Sequence, residues 1–154
     1  MQIELVKTVA APSAGAFAVV ADVVRWPKII HSVQSLEVLT AGPLRAGSRI
    51  REERMLFHRK GTHNYEVAAI EPPHRLRLFA QHPDLPYELD HLIDAVHGGG
   101  SRLTLAFRSR PETPAGRALE PVISPLIWII VRDELEQDLS DFAAAIAREQ
   151  GMLQ

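Results

Sequence analysis

The sequence contains no cysteine. This absence excludes disulfide bonds, thiolate metal sites and cysteine nucleophiles, and it is consistent with a reducing cytosol, so we expect a cytoplasmic location. The chain also has no excess of basic residues, because 17 lysines and arginines stand against 19 aspartates and glutamates and give a net charge of -2. Binding to nucleic acid through neutralised phosphates is therefore not expected.

Long apolar runs are also missing, and a bilayer span requires about 20 such residues. The most apolar stretch, Pro121 to Val131, is shorter than this and contains two prolines, so no membrane span is expected. Repeats, low-complexity tracts and linkers are absent as well. The 154 residues, 46% hydrophobic and 23% charged, therefore predict a single soluble domain over residues 1–154, either a monomer or a homodimer.

The first thirty residues predict one strand followed by two short helices. The strand covers Ile3 to Val9, and Pro12 opens a helix whose buried stripe has helical spacing (Phe17, Val20, Ala21 and Val24). Pro27 cannot continue this helix, but it suits the first turn of a second one. We expect Trp26 to be buried in the corner between the helices, with Ile30 facing inward.

The middle of the chain predicts six further strands, separated by short segments with turn chemistry. They are Val33–Leu39, Arg49–Phe57, Thr62–Ile70, Leu76–Gln81, Tyr87–Val96 and Arg102–Arg108. Such short connections favour an antiparallel meander. Ile70 breaks the alternation of its strand, so a bulge is expected near Ala68 and Ala69. In Arg49–Phe57 neither parity is apolar, so this strand either lies at a sheet edge or carries an inward ion pair.

After Arg110 the spacing of apolar residues changes to that of an amphipathic helix, expected within Thr113–Glu149. The part before Arg132 is apolar nearly all round and should be covered on more than one side. The complete order predicts an α+β fold, in which a seven-stranded antiparallel sheet wraps around a long C-terminal helix. One helix about 10 Å wide cannot fill the trough of a curled sheet, so an internal cavity is expected.

The segment AAPSAGAFAVVADVVRWPKII follows the first predicted strand, and it is followed in order by GSRIREER, YEVAAIEPPHRLRL, GGGSRLTLAFR and LIWIIVRDELEQDLSDFAAAI. This arrangement resembles the START/Bet v 1-like (SRPBCC) superfamily, and within it the polyketide cyclase/dehydrase and lipid-transport branch. The resemblance covers about residues 2–149. It implies a helix-grip fold with an apolar pocket for a lipid, a polyketide or a similar molecule, and it implies no universal catalytic motif.

Strand parity and the helical pattern select the side chains expected to line such a pocket. They are Ile30, Tyr65, Tyr87, Leu89, His91, Ile127 and Trp128. Tyr87 and His91 lie on the inward parity of one strand, where they either form a satisfied histidine–tyrosine pair in the core or contact a ligand. Trp128 belongs either to the core or to the pocket wall. The preferred hypothesis is binding of a small hydrophobic ligand without chemistry.

The alternative hypothesis is an enzyme of the polyketide cyclase or dehydratase type. In that case His91 or His63 would move a proton, while Tyr87 or Tyr65 would polarise a carbonyl group. A regulator of other proteins, as some relatives are, is a third hypothesis. We expect neither a metal nor another cofactor, because His58 and His63 flank one turn and the spacing fixes no third ligand.

Overall fold

The computed structural model describes residues 1–56 and 58–152. Its strands are β1 (Gln2–Val9), β2 (Val33–Val38), β3 (Arg49–Leu56), β4 (Arg59–Glu71), β5 (Arg75–Ala80), β6 (Tyr87–Ala95) and β7 (Ser101–Ser109). Its helices are α1 (Ser13–Val20), α2 (Trp26–Ile29) and α3 (Pro114–Met152), with a 3-10 helix at Val23–Arg25 before α2. Phe57, the expected last residue of the charged strand Arg49–Phe57, lies outside the described residues.

The seven strands form one antiparallel sheet in the order β1-β7-β6-β5-β4-β3-β2. From β2 to β7 each strand pairs with its neighbour in sequence, so the expected meander is present, and β1 pairs with β7 at the far edge. The register of β4 against β5 shifts between Val67 and Ala69, which is the expected bulge. The helix-grip α+β fold is confirmed.

The charged strand β3 lies between β2 and β4, so it is not an edge strand. Its inward side chains include Glu52 and Arg54, which are both buried and bonded to each other. Of the two alternatives that the sequence left open, the inward ion pair is therefore the correct one.

The corner between β1 and β2 is built around Trp26. α1 ends at Val20, and Pro27 occupies the first turn of α2, where its missing N–H leaves no hydrogen bond unmade. Trp26 is only 2% exposed, and its indole nitrogen donates to the carbonyl oxygen of Val20 at 3.0 Å. Val24 was expected on the buried stripe of α1 but is 62% exposed, because the 3-10 helix does not continue the period of α1.

The C-terminal half of α3 packs on the concave face of the sheet through buried side chains (Leu135, Leu139, Phe142, Ala145 and Ile146). The N-terminal half continues through Pro121 and Pro125 without ending the helix. Its outer face is exposed at Leu119, Val122, Leu126 and Ile129. The expectation that this half is covered on more than one side is therefore wrong, because the sheet covers only one side of it.

By length and composition alone, α3 contains an apolar window that would suffice to cross a membrane. The apolar part of α3 is thus longer than the 11-residue stretch from Pro121 to Val131 on which the sequence-based expectation was based. The same helix nevertheless packs into the core of the domain through Leu139 and Phe142, so its composition does not establish a membrane span.

Replacing Gly116 with alanine should lower the free energy of unfolding by about 1–3 kcal/mol. Gly116 lies buried in the first turn of α3, and a Cβ atom there would clash with the carbonyl oxygen of Asp84, in the loop between β5 and β6. Denaturant melts measure the change. Gly151→Ala is the matched control, because none of the described residues lies within 4 Å of its added Cβ atom. An equal effect at both positions would contradict the close approach at Gly116.

Candidate ligand-binding cavity

A cavity of about 300 Å³ lies between the concave face of the sheet and α3. Its wall is mainly apolar: Leu89 and Phe107 contribute from the sheet, and Ile123, Ile127 and Ile130 contribute from the helix. The three isoleucines are only partly buried, so the cavity is open to solvent. The volume falls at the lower end of the range of about 300–1,000 Å³ that is typical of small-molecule sites.

The polar part of the wall is centred on Arg54, which is buried among three carboxylates. Its Nε and Nη2 atoms donate to the two carboxylate oxygens of Glu52 at 2.9 and 3.2 Å. Its Nη1 atom donates to Glu134 at 2.7 Å and to both carboxylate oxygens of Asp138 at 2.9 Å. Ser32, just before β2, donates from its hydroxyl to Glu134 and so ties this cluster to the edge strand that pairs with β3.

Burial and the neighbouring charges shift the pKa values of two members of this cluster, Asp138 and Arg54. Burial raises the pKa of Asp138 to about 7; the charge of Arg54 opposes this shift, and the charges of Glu134 and Glu52 add to it. Burial alone would lower the pKa of Arg54, but Asp138 and Glu52 raise it well above its ordinary value. The guanidinium is therefore always charged, whereas Asp138 titrates near neutral pH.

Three further polar side chains on the wall form a hydrogen-bonded chain. His63 Nδ1 and the Tyr87 hydroxyl lie 2.9 Å apart, and the Tyr87 and Tyr65 hydroxyls lie 3.4 Å apart. Burial lowers the pKa of His63 and raises the pKa of both tyrosines, so all three are neutral at pH 7. Among the described residues, the buried Nε2 atom of His63 has no hydrogen-bond partner. The histidine–tyrosine pair thus exists, but it contains His63 instead of His91.

His91 faces inward as its strand parity predicts, but it does not line the cavity. Its Nδ1 atom is hydrogen-bonded to the carbonyl oxygen of Leu76 at 3.1 Å, and its ring packs against Trp26 and Phe142. Burial lowers its pKa to about 4, so the ring is neutral at pH 7. A void of about 10 Å³ lies beside it, which is too small for an organic ligand. This position does not suit the proton-transfer role considered for His91.

Of the other residues expected on the wall, Tyr65, Tyr87, Leu89 and Ile127 line the cavity, whereas Ile30 and Trp128 do not. Ile30 is buried in the core beside the Trp26 corner. Trp128 is 44% exposed on the outside of α3, where the guanidinium of Arg132 lies 5.6 Å from its ring centroid. Consecutive residues of a helix point about 100° apart, so Ile127 and Trp128 cannot both face the cavity.

Sequence reasoning missed the acidic members of the wall on α3, two of which, Glu134 and Asp138, bind Arg54. Ile127, Val131, Glu134 and Asp138 are spaced by four, three and four residues, which places them on one helix face. This spacing is visible in the sequence, but charged residues that follow an apolar stripe are equally compatible with a solvent-exposed turn of the helix. Their burial depends on Arg54, which lies 80 and 84 residues away in sequence.

Residues 1–147 match the model of a family described as polyketide cyclase / dehydrase and lipid transport. Among curated proteins, none matches the chain. Solved structures with a similar fold include the Zhui aromatase/cyclase from Streptomyces sp. R1128, with a TM-score of 0.81 and 16% identity over 96% of this chain and 94% of that one.

Two further structures are similar over nearly their whole lengths. A START superfamily protein from Mycobacterium smegmatis has a TM-score of 0.77 and 14% identity over 96% of this chain and 97% of that one. The protein TTHA0849 from Thermus thermophilus has a TM-score of 0.77 and 18% identity over 97% of this chain and 99% of that one. At such identities the likeness shows a shared fold.

Proposed function

Because the chain belongs to the polyketide cyclase/dehydrase and lipid-transport family, we propose that it binds a small hydrophobic molecule, such as a lipid or a polyketide, between the sheet and α3. The observation that carries this proposal is the cavity of about 300 Å³ with its mainly apolar wall. An apolar cavity with a few convergent polar groups is the usual form of a small-molecule site, in which the polar groups orient the ligand. Here those groups are Arg54 with its carboxylates and the chain from His63 to Tyr65.

Filling the cavity tests this function. Ile127→Trp should weaken the binding of Nile red, an uncharged apolar dye, by at least about tenfold, because the larger side chain occupies the space that the dye requires. Fluorescence titration measures the affinity. Leu126→Trp is the matched control, since residue 126 is 65% exposed on the outer face of the same helix. Equal affinities of the two variants would contradict binding in the cavity, and native mass spectrometry of the purified protein would identify a ligand that it retains.

A second candidate function is a cyclase or dehydratase reaction in the same cavity, and the chain of His63, Tyr87 and Tyr65 favours it. A neutral histidine can accept a proton, and a protonated tyrosine can polarise a carbonyl group. Such chemistry requires at least two of these groups within about 3 Å of one substrate atom. Incubation with a poly-β-ketone, followed by chromatography of the products, separates the two functions. Dye binding without product formation supports ligand binding without catalysis.

A further inference from the structure

We propose that the cavity selects amphipathic ligands whose polar end is a hydrogen-bond donor or a cation, such as an alcohol, a phenol or an amine, and that it rejects carboxylates such as fatty acids. This inference rests on the proposed function and adds the chemical class of the ligand. It follows from the arrangement of charges along the cavity wall.

Arg54 is the only arginine among the described residues that line the cavity, and it is not free to bind an anion. All three nitrogens of the Arg54 guanidinium already donate to carboxylates, which are those of Glu52, Glu134 and Asp138. Of the five N–H donors in an arginine, at most one, on Nη2, is left unused by these bonds. The side chain is also only 8% exposed. A ligand carboxylate would have to displace one of the protein's own acidic groups to pair with Arg54.

The acidic groups of this cluster outnumber its single cation. Glu134 and Asp138 line the cavity, whereas the fully buried Glu52 lies behind Arg54. Three carboxylates surround one guanidinium, so the formal charge of this end of the cavity is negative. The adjacent His63 adds no positive charge, because burial lowers its pKa. A second anion placed here would be repelled and desolvated, whereas a hydroxyl or an ammonium group would find acceptors.

The opposite end of the cavity offers no unpaired cation either, among the described residues that line it. There Glu120 accepts a hydrogen bond from Ser109 Oγ at 2.7 Å and pairs with the amino group of Met1 at 3.3 Å. The Nδ1 atom of His82 accepts the backbone N–H groups of Asp84 and Leu85, which leaves Nε2 as the donor of this exposed side chain. Among the described residues, neither end of the cavity therefore offers a buried, unpaired cation to a carboxylate.

Three probes with the same alkyl chain test this selectivity: decan-1-ol, decylamine and decanoate, each competing with Nile red at pH 8. Decan-1-ol and decylamine should displace the dye at concentrations at least about tenfold lower than decanoate. In the double variant Glu134→Gln, Asp138→Asn this difference should fall below about threefold, because the amides remove the negative charge at nearly constant volume. Glu136→Gln, on the exposed side of the same helix, should keep the wild-type preference.

The outcomes distinguish this inference from the function on which it rests. If the wild-type protein does not bind Nile red, the proposed function itself fails. If the dye binds and decanoate competes as well as decan-1-ol, the cavity binds ligands but the inference is overturned. A preference that survives unchanged in the double variant also overturns it. Retained Nile red affinity shows that the double variant is folded. If the double variant does not fold, the single variant Glu134→Gln is used instead, because Glu134 is the more exposed of the two carboxylates.

Discussion

Replacing Trp26 with alanine should lower the free energy of unfolding by about 3–5 kcal/mol, the usual cost of truncating a buried aromatic residue. The indole is 2% exposed and lies against the rings of His91 and Phe142, with centroid distances of 5.5 and 5.7 Å. Its removal also leaves the carbonyl oxygen of Val20 without its hydrogen-bond donor at the end of α1. Denaturant melts followed by circular dichroism measure the loss.

Trp128→Ala provides the control, since the chain contains only two tryptophans and they occupy opposite environments. Trp128 is 44% exposed and contacts Arg132 on the outside of α3, so its replacement should cost less than about 1 kcal/mol. If both variants lose the same stability, Trp26 does not hold the corner between the short helices and the sheet.

The fold could be predicted from the sequence because its determinants are local. Pro27 marks the first turn of α2, and the change from a period of two to a helical period after Arg110 separates the sheet from α3. The break in alternation at Ile70 located the bulge of β4 to within one residue. Each of these signals lies within a few residues of the feature that it predicts.

The cavity wall could be predicted only in part, because strand parity shows which side chains face inward but not where the trough is filled. His91 and Tyr87 have the same parity on β6, four residues apart. His91 meets Trp26 and Phe142, which fill the trough at its position, whereas Tyr87 meets open space and His63. Whether His91 or Tyr87 reaches a ligand depends on side chains from other helices and strands. The positions of those side chains cannot be predicted from a local sequence pattern.

The charged strand β3 shows the same limit. Its sequence admitted either an edge strand or an inward ion pair, and the choice depended on partners far along the chain. Glu134 and Asp138 reach Arg54 only because α3 crosses the concave face at the level of β3. Burial of this cluster therefore follows from the assembled fold, and removal of its cation should reduce the stability of that fold.

Replacing Arg54 with methionine should accordingly lower the free energy of unfolding by about 3–5 kcal/mol at pH 8. Methionine retains much of the apolar stem but removes the cation that Glu52, Glu134 and Asp138 share. Glu52 is fully buried and Asp138 is 7% exposed, so neither can turn to water without opening the interface between β3 and α3. Arg132→Met is the control: its partner Glu136 is exposed, and the loss should stay below about 1 kcal/mol.

The cost of Arg54→Met should be smaller at pH 5 than at pH 8. In the folded protein the pKa of Asp138 is raised to about 7, above its unfolded value of about 3.9, by burial and by the charges of Glu134 and Glu52. The stability that its proton contributes is therefore fully present below the unfolded pKa and is lost as the pH rises through about 7. Without Arg54 the folded pKa of Asp138 rises further, so the variant loses stability more steeply with pH than the wild type. Denaturant melts at both pH values measure this difference, and an equal loss at pH 5 and pH 8 would show that Arg54 does not hold the ionised carboxylates in place.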